Sequence, residues 1–182
     1  LGALAARGLV EVRMVPVDRR GFVDAEAVAL AIDDRTALVT VMGANNEIGT
    51  VQPVAAIAAR LPSGVPFHSD AAQSFARVEG APFETGPVLT VSSQKVGGPV
   101  GIAALVVPPR HRHWLRAYLL GGKHEAGLRA GTENHPAAAG FGAACRAMRA
   151  AWPLGHGRDE GARLHVRRHR DMLLEALVER LG

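Results

Sequence analysis

A lysine stands directly after an apolar, β-rich run in this sequence, within the segment SSQKVGGPVG at residues 92–101. Polar clusters also follow two other apolar runs, NNEIGT at 45–50 and SDAAQS at 69–74. A lysine can form a Schiff base with an aldehyde cofactor, and pyridoxal phosphate also needs a carboxylate that keeps its ring nitrogen protonated. Lys95 and Asp70 are the candidates for these two roles.

Amide and hydroxyl side chains of the same clusters could bind the other polar groups of that cofactor. Asn46 and Gln73 could donate hydrogen bonds to its phenolic oxygen, and Ser92 and Gln94 could donate to its phosphate. The glycines between 97 and 101 would allow a close approach of the backbone. Each of these residues taken alone is more simply a surface polar group. The prediction therefore depends on their occurring together and in this order.

The elements that must position these residues alternate between strand and helix. This alternation predicts a doubly wound α/β fold of three α/β/α layers with a mostly parallel sheet. Ligands of such sheets bind beyond the carboxyl ends of the strands, so the three clusters are expected to converge at one edge. Asp24 is predicted to cap the first helix. Strands are predicted at 9–17, 36–42, 65–70, 88–93 and 101–107, and helices at 24–32, 53–61, 134–151 and 158–181.

The composition of the chain narrows its function class. Its 182 residues, of which 48% are apolar, suffice for one domain with a sizeable core. No apolar run of about 18 residues predicts a membrane span, and no secretory signal is visible. The single cysteine, Cys145, excludes an internal disulfide and indicates a reducing cytoplasm.

The net charge of +4 does not by itself indicate a nucleic-acid partner. Much of the excess lies in RLHVRRHR at 163–170, within a predicted helix whose apolar face carries Val166, Leu173, Leu177 and Leu181. The arginines are most simply the solvated face of that helix. No nucleic-acid motif accompanies them, so no nucleic-acid partner is predicted.

The chain carries four segments, VMGANNEIGTVQPVAAIA, HSDAAQS, SSQKVGGPVGIAALVV and GGKHEAGLRAGTEN. In this order they resemble the signature segments of the NifS/IscS type of cysteine desulfurase, in the class V aminotransferase (fold-type I) superfamily. The resemblance extends over roughly residues 1–150 without large gaps. It implies the cofactor roles given above, with Lys95 also moving a proton during catalysis.

The resemblance implies several further properties. Thr132 would reach the phosphate bound by the other subunit of a homodimer. The activity would convert L-cysteine to L-alanine, with the sulfur passing through an enzyme persulfide to an acceptor protein, either an iron–sulfur scaffold or a thiolation enzyme. Residues 1–150 would form the large domain that binds pyridoxal phosphate, and 151–182 a linker helix towards a small domain.

The sequence also departs from the family pattern. Gln94 stands where the family has histidine, so we expect weaker or less pH-sensitive phosphate binding. Lys123 replaces a family glycine near the expected subunit boundary. The family's ring-stacking histidine and phosphate loop would lie before Leu1, and its persulfide cysteine and substrate-binding arginine after Gly182. We therefore expect the chain to be a piece of a longer protein and to be inactive alone.

One cysteine and two histidines, Cys145, His68 and His124, are not predicted to take part in the chemistry. Cys145 lies in the apolar helical stretch GFGAACRAM and is interpreted as a buried thiol rather than the persulfide site. His68 has no metal-binding neighbours at useful spacing, so no metal is predicted. His124, beside Glu125 in the family's loop, is interpreted as a structural or interface residue.

Two alternative functions stay open from the sequence. One is a cysteine or selenocysteine lyase of the same fold, which would share the cofactor site but lack the sulfur-accepting cysteine. The other is a non-catalytic remnant of the fold that no longer binds the cofactor.

Overall fold

A computed structural model of the protein describes residues 1–78, 86–151 and 161–181, with only the backbone described at 161–163. The helices in these ranges are α1 Gly2–Ala6, α2 Ala25–Leu30, α3 Val54–Ala58, α4 His135–Ala151 and α5 Gly161–Leu181, and the strands are β1 Val39–Met42, β2 Phe67–Asp70, β3 Val88–Ser92 and β4 Ala103–Val106.

The four strands form one sheet in the order β1-β2-β3-β4. β1 pairs with β2 and β2 with β3 in parallel, whereas β4 is antiparallel to β3. Met42 lies opposite Asp70, and Asp70 lies opposite Thr90, so the carboxyl ends of β1 and β2 are level. The prediction of an α/β fold with a mostly parallel sheet is confirmed.

The core lies on one face of this sheet. Phe67 of β2 packs in a cluster with Val28 of α2 and Ile57 of α3, and Leu89 of β3 packs in another with Phe141 of α4. Because side chains alternate along a strand, the register places Phe67 and Leu89 on the same face. Helices α2, α3 and α4 therefore form one layer.

The opposite face of the sheet carries a row of polar side chains. The ring of His68 lies between Thr40 and Thr90, with 2.8 Å from Nδ1 to the Thr40 Oγ1 and 2.8 Å from Nε2 to the Thr90 Oγ1. Leu105 of β4 lies exposed on the same face. The second helical layer of the predicted three-layer architecture is absent from the described residues.

The predicted strand at 9–17 is wrong. Its side chains at Leu9, Val12 and Met14 are exposed, and the pairing found in this segment is an isolated bridge between Val17 and Val23. A strand is stabilised by hydrogen bonds to a neighbouring strand, and no strand among the described residues lies beside this segment. The β-rich composition is therefore not sufficient here.

The other predicted elements are present, most of them shorter than expected. Asp24 caps α2 as predicted, since its side chain accepts a hydrogen bond from the backbone N–H of Glu26. Helix α3 ends at Ala58, before Leu61, whose helical conformation is disfavoured by Pro62. The predicted start of α5 at 158–160 lies outside the described residues.

Helix α5 is exposed along most of its described side chains. Leu173 and Leu177, predicted to mark an apolar face, are exposed, as are Arg167 and Arg170. The arginines are solvated as expected, whereas the apolar side chains are not buried by any other part of the chain that the structure describes. Within the ranges described above, none of the helices has the length and apolar character needed to cross a membrane.

Ile57 provides a test of the core. Its side chain is 0% exposed beneath the sheet, so Ile57→Ala should lower the free energy of unfolding by about 2–5 kcal/mol, because it removes buried methyl groups and leaves a cavity. Leu30→Ala, at a position 78% exposed, should change it by less than about 0.5 kcal/mol. Urea denaturation followed by circular dichroism measures both. Equal effects from the two variants would contradict this description of the core.

Candidate cofactor site

Asp70 ends β2 at the carboxyl edge of the sheet. Its Oδ1 accepts a hydrogen bond from the backbone N–H of Ala72 at 2.9 Å, which orients the carboxylate at the start of the following turn. By alternation and register, Asp70 shares a face with Thr90 and Ser92. The strand spacing and rise put the Cα atoms of Asp70 and Ser92 roughly 8 Å apart. This face is the one that the helices leave uncovered.

Lys95 lies one short turn beyond the same edge. A 3-10 helix, Ser93–Val96, follows β3 directly and ends at Gly97, whose φ of +81° is readily adopted by glycine. The guanidinium of Arg77 donates to the backbone carbonyl of Lys95. This contact joins the segment after β2 to the turn after β3, so Lys95 and Asp70 are anchored to neighbouring strand ends.

The segments after β1 and β2 are also joined at this edge. The backbone N–H of Gly43 donates to the carbonyl of Asp70 at 2.7 Å, and a Cβ at Gly43 would lie 2.4 Å from the Ser74 Oγ. Asn46 is exposed in the turn after β1, and Gln73 is half-buried in the turn after β2. The structure thus brings both amides to the edge where Asp70 lies.

Of the seven predicted site residues, six lie at or just beyond this edge. They are Asn46, Asp70, Gln73, Ser92, Gln94 and Lys95. Thr132 is exposed in the loop before α4, and none of the contacts described for the chain joins it to the other six. The geometry therefore gathers six predicted residues and leaves the seventh on a separate loop.

The donors at this edge fit an aldehyde phosphate cofactor by their chemistry. In the described contacts, the Lys95 amine and the Asp70 Oδ2 have no hydrogen-bond partner within the chain, so both atoms can bind a ligand. Ser92 and Gln94 add neutral donors that suit a phosphate. A cavity lined by Ser69 and Leu89 lies on the opposite, helix-covered face of the sheet.

Three features of this region are missing from the sequence prediction. One is the Arg77 contact with Lys95, and another is the hydrogen bonding of His68 to two threonines. The third is the buried Ser93 Oγ, which has no partner in the described structure and would lie 2.3 Å from a Cβ at Gly98. The residue types gave no signal for any of them, since each depends on tertiary contacts.

His68 is a partly buried residue whose ring is held between two threonines of the neighbouring strands. Burial lowers the pKa of its imidazole, while the negative charge of Asp70 acts in the opposite direction. Its two threonine partners occupy both ring nitrogens. Nowhere in the described ranges do three or more His, Cys, Asp or Glu side chains form a group that could hold a metal ion.

Cys145 is half-buried rather than buried as predicted from the sequence, and it packs against the core beside Phe141 of α4. Burial raises the pKa of its thiol, with a smaller opposing effect from Arg146. A thiol with a raised pKa forms less of the reactive thiolate. This environment supports the interpretation of Cys145 as a structural residue.

The aminotransferase class-V family model matches residues 2–179. Over 170 residues the chain is 39% identical to cysteine desulfurase IscS 1 of Archaeoglobus fulgidus. This alignment covers 93% of this chain and 42% of that protein. It is 37% identical over 180 residues to the mitochondrial cysteine desulfurase of Saccharomyces cerevisiae, covering 96% of this chain and 35% of that protein. The chain thus spans less than half the length of these curated relatives.

A solved structure described as a NifS-like protein superposes with a TM-score of 0.84 at 29% identity, and the match covers 98% of this chain and 47% of that one. A second structure, described as SspA in complex with cysteine, has a TM-score of 0.69 at 35% identity, covering 80% of this chain and 42% of that one. The first of these likenesses extends over nearly the whole of this chain.

Proposed function

This chain belongs to the aminotransferase class-V family, and from that premise we propose that it is the cofactor-binding part of a cysteine desulfurase that uses pyridoxal phosphate. The observation that carries the proposal is the placement of Lys95, Asp70 and four neutral donors at one edge of the sheet. The relatives named as cysteine desulfurases support this activity over a lyase of the same fold.

Lys95 and Asp70 have the two central roles in the proposed site. When bound, the cofactor supplies an electron sink for the bonds around the substrate Cα. Lys95, on its short turn, would hold the cofactor aldehyde covalently and move the proton of the substrate Cα. Asp70 would keep the pyridine nitrogen protonated, because a nearby carboxylate favours the charged form of that nitrogen.

The neutral side chains orient the cofactor in this proposal. Asn46 and Gln73 donate to the phenolic oxygen, and Ser92 and Gln94 donate to the phosphate. An amide at position 94 contributes a hydrogen bond without a positive charge, so we expect its contribution to phosphate binding to be insensitive to pH. Together with Asp70, these four side chains would define the orientation of the ring against Lys95.

The substrate and partners are part of the same proposal. L-Cysteine is the proposed substrate, supported by the cysteine-bound structure described above. We propose a cytoplasmic homodimer in which Thr132 binds the phosphate held by the other subunit, and a sulfur-acceptor protein that receives the persulfide sulfur. Residues 1–150 are proposed to belong to the large domain and 151–182 to a helical link to a small domain.

One experiment tests this function. The full-length protein to which this chain is proposed to belong, purified and loaded with pyridoxal phosphate, should form L-alanine from L-cysteine and carry a persulfide that a reducing agent removes. The 182-residue chain alone should form no alanine above the level of free cofactor. Free sulfide formed without a protein-bound persulfide would indicate a lyase instead. A protein that binds no cofactor, seen as the lack of a visible absorbance band after loading, would indicate a non-catalytic remnant.

Cys145 is not the proposed persulfide site. Cys145→Ala should leave alanine formation within about twofold of the unchanged protein, since a packed thiol with a raised pKa is a poor sulfur acceptor. The rate with saturating L-cysteine and the mass of the persulfidated protein measure the effect. Loss of the persulfide in this variant, with the cofactor still bound, would assign the sulfur-accepting role to Cys145 and contradict the prediction.

A further inference from the structure

The loop that carries Thr132 is closed by one side-chain pair. The Nδ1 of His124 lies 2.9 Å from the Oε2 of Glu133, and the two side chains are 40% and 28% exposed. At the base of the loop, Leu119 and Arg129 form an isolated parallel bridge. His124 and Glu133 are nine positions apart, so their contact ties the two ends of the loop together.

The backbone within this span adopts an unfavourable conformation. Glu125 and Ala126 have φ values of +50° and +56°, and Gly127 follows at +82°. Residues with a Cβ rarely occupy this left-handed region, and they remain there only where the surrounding structure holds them. Backbone hydrogen bonds from the Gly127 N–H to the carbonyls of Lys123 and His124 contribute to holding the turn.

Thr132 lies directly beside the closing contact. Glu133 is the next residue, and the Arg129 guanidinium donates to the carbonyl of Gly131 on the other side at 2.9 Å. The pKa of the Glu133 carboxyl lies below its usual value, first because its own backbone N–H donates to it and next because of His124. The carboxylate is thus anionic and available to His124, while Thr132 remains exposed.

We propose that the His124–Glu133 pair positions Thr132, holding the 124–133 loop in the conformation in which the Thr132 hydroxyl reaches the cofactor phosphate of a second copy of this chain. The inference rests on the proposed function, which assigns that phosphate contact to Thr132. His124 and Glu133 touch neither substrate nor cofactor in this description. Their effect is transmitted through the strained turn and through the peptide bond that joins Glu133 to Thr132.

The test measures the release of pyridoxal phosphate from the holoprotein, followed by loss of its visible absorbance on dilution into a cofactor-trapping apoenzyme. His124→Ala and Glu133→Ala should each accelerate release by about two- to fivefold, as expected for the loss of one half-exposed side-chain contact. The double variant should be no faster than either single variant, because both changes remove the same contact. Glu133→Gln should approach the unchanged protein, since its amide oxygen still accepts from His124.

A second pair of variants asks whether the effect passes through Thr132. Thr132→Ala should accelerate release, and adding His124→Ala to it should cause no further change. His135→Ala, an exposed histidine two residues beyond Glu133, is the matched control and should release the cofactor at the unchanged rate. Melting temperatures of all variants show whether any of them alters the fold as a whole.

Several outcomes would overturn the inference. Release from His124→Ala at the unchanged rate would do so, as would effects of His124→Ala and Thr132→Ala that add in full. If Thr132→Ala has no effect while the protein still binds the cofactor, the positioning role fails and the cofactor site stands. If the unchanged protein binds no cofactor at all, the proposed function fails and this inference fails with it.

Discussion

In the full-length protein, Lys95→Ala should abolish both the visible band of the bound cofactor and the formation of alanine, a loss of at least about a thousandfold in turnover. The lysine is the group proposed to hold the cofactor covalently and to move the substrate proton, and alanine can do neither. The fold should be nearly unchanged, because Lys95 is half-buried on a short turn and belongs to neither core cluster. We expect the free energy of unfolding to shift by less than about 0.5 kcal/mol.

The small number of lysines in the chain allows a direct test of where the cofactor is attached. The 182 residues contain two lysines, Lys95 and Lys123. Reduction of the loaded protein with borohydride, followed by peptide mass spectrometry, should locate the cofactor on Lys95. Lys123→Ala, which removes an exposed loop lysine, is the matched control and should keep both the label and the activity. A label found on Lys123, or full activity in Lys95→Ala, would refute the proposed site.

The sheet and its polar edge could be predicted because they depend on local patterns. Apolar β-rich runs mark three of the strands, and a polar cluster directly after each run marks its carboxyl end. Parallel pairing then brings Asp70 and the segments around Asn46 and Lys95 to one edge. The placement of six site residues therefore required little more than the alternation of strand and helix.

The failures of the sequence prediction concern long-range contacts. Residues 9–17 have the composition of a strand, but strand formation requires a neighbour, which the pattern itself cannot provide. The Arg77 contact with the Lys95 carbonyl joins residues 18 apart, and His124 meets Glu133 across nine. Such pairs follow from the path of the backbone in three dimensions, and residue type at a given spacing carries no signal for them.

Substitutions of Asp70 should also have a large effect on turnover. Comparing Asp70→Asn with Asp70→Ala separates the role of the negative charge from the role of the hydrogen bond to Ala72. Asp70→Asn keeps an oxygen that can accept from the Ala72 N–H, but it removes the negative charge proposed to hold the proton on the ring nitrogen. Turnover should fall by about two to three orders of magnitude, whereas the visible band should persist because Lys95 is intact. Asp70→Ala also removes the hydrogen bond to Ala72, so it should lose somewhat more stability without a proportionate further loss of turnover.

The pKa of the His68 imidazole depends on the negative charge of Asp70, so it measures that charge independently of catalysis. Asp70 raises the pKa of His68 against the larger lowering effect of burial, because a nearby negative charge favours the protonated ring. Neutralising the carboxylate in Asp70→Asn should therefore lower the pKa of His68 further, a change that histidine NMR titration measures. A lower pKa of His68 shows that the negative charge at position 70 has been removed. The loss of turnover in the same variant then measures what that charge does for the cofactor. Asp70→Asn with the shifted His68 and undiminished turnover would show that Asp70 is a structural residue at the strand end, and the proposed contact with the ring nitrogen would be wrong.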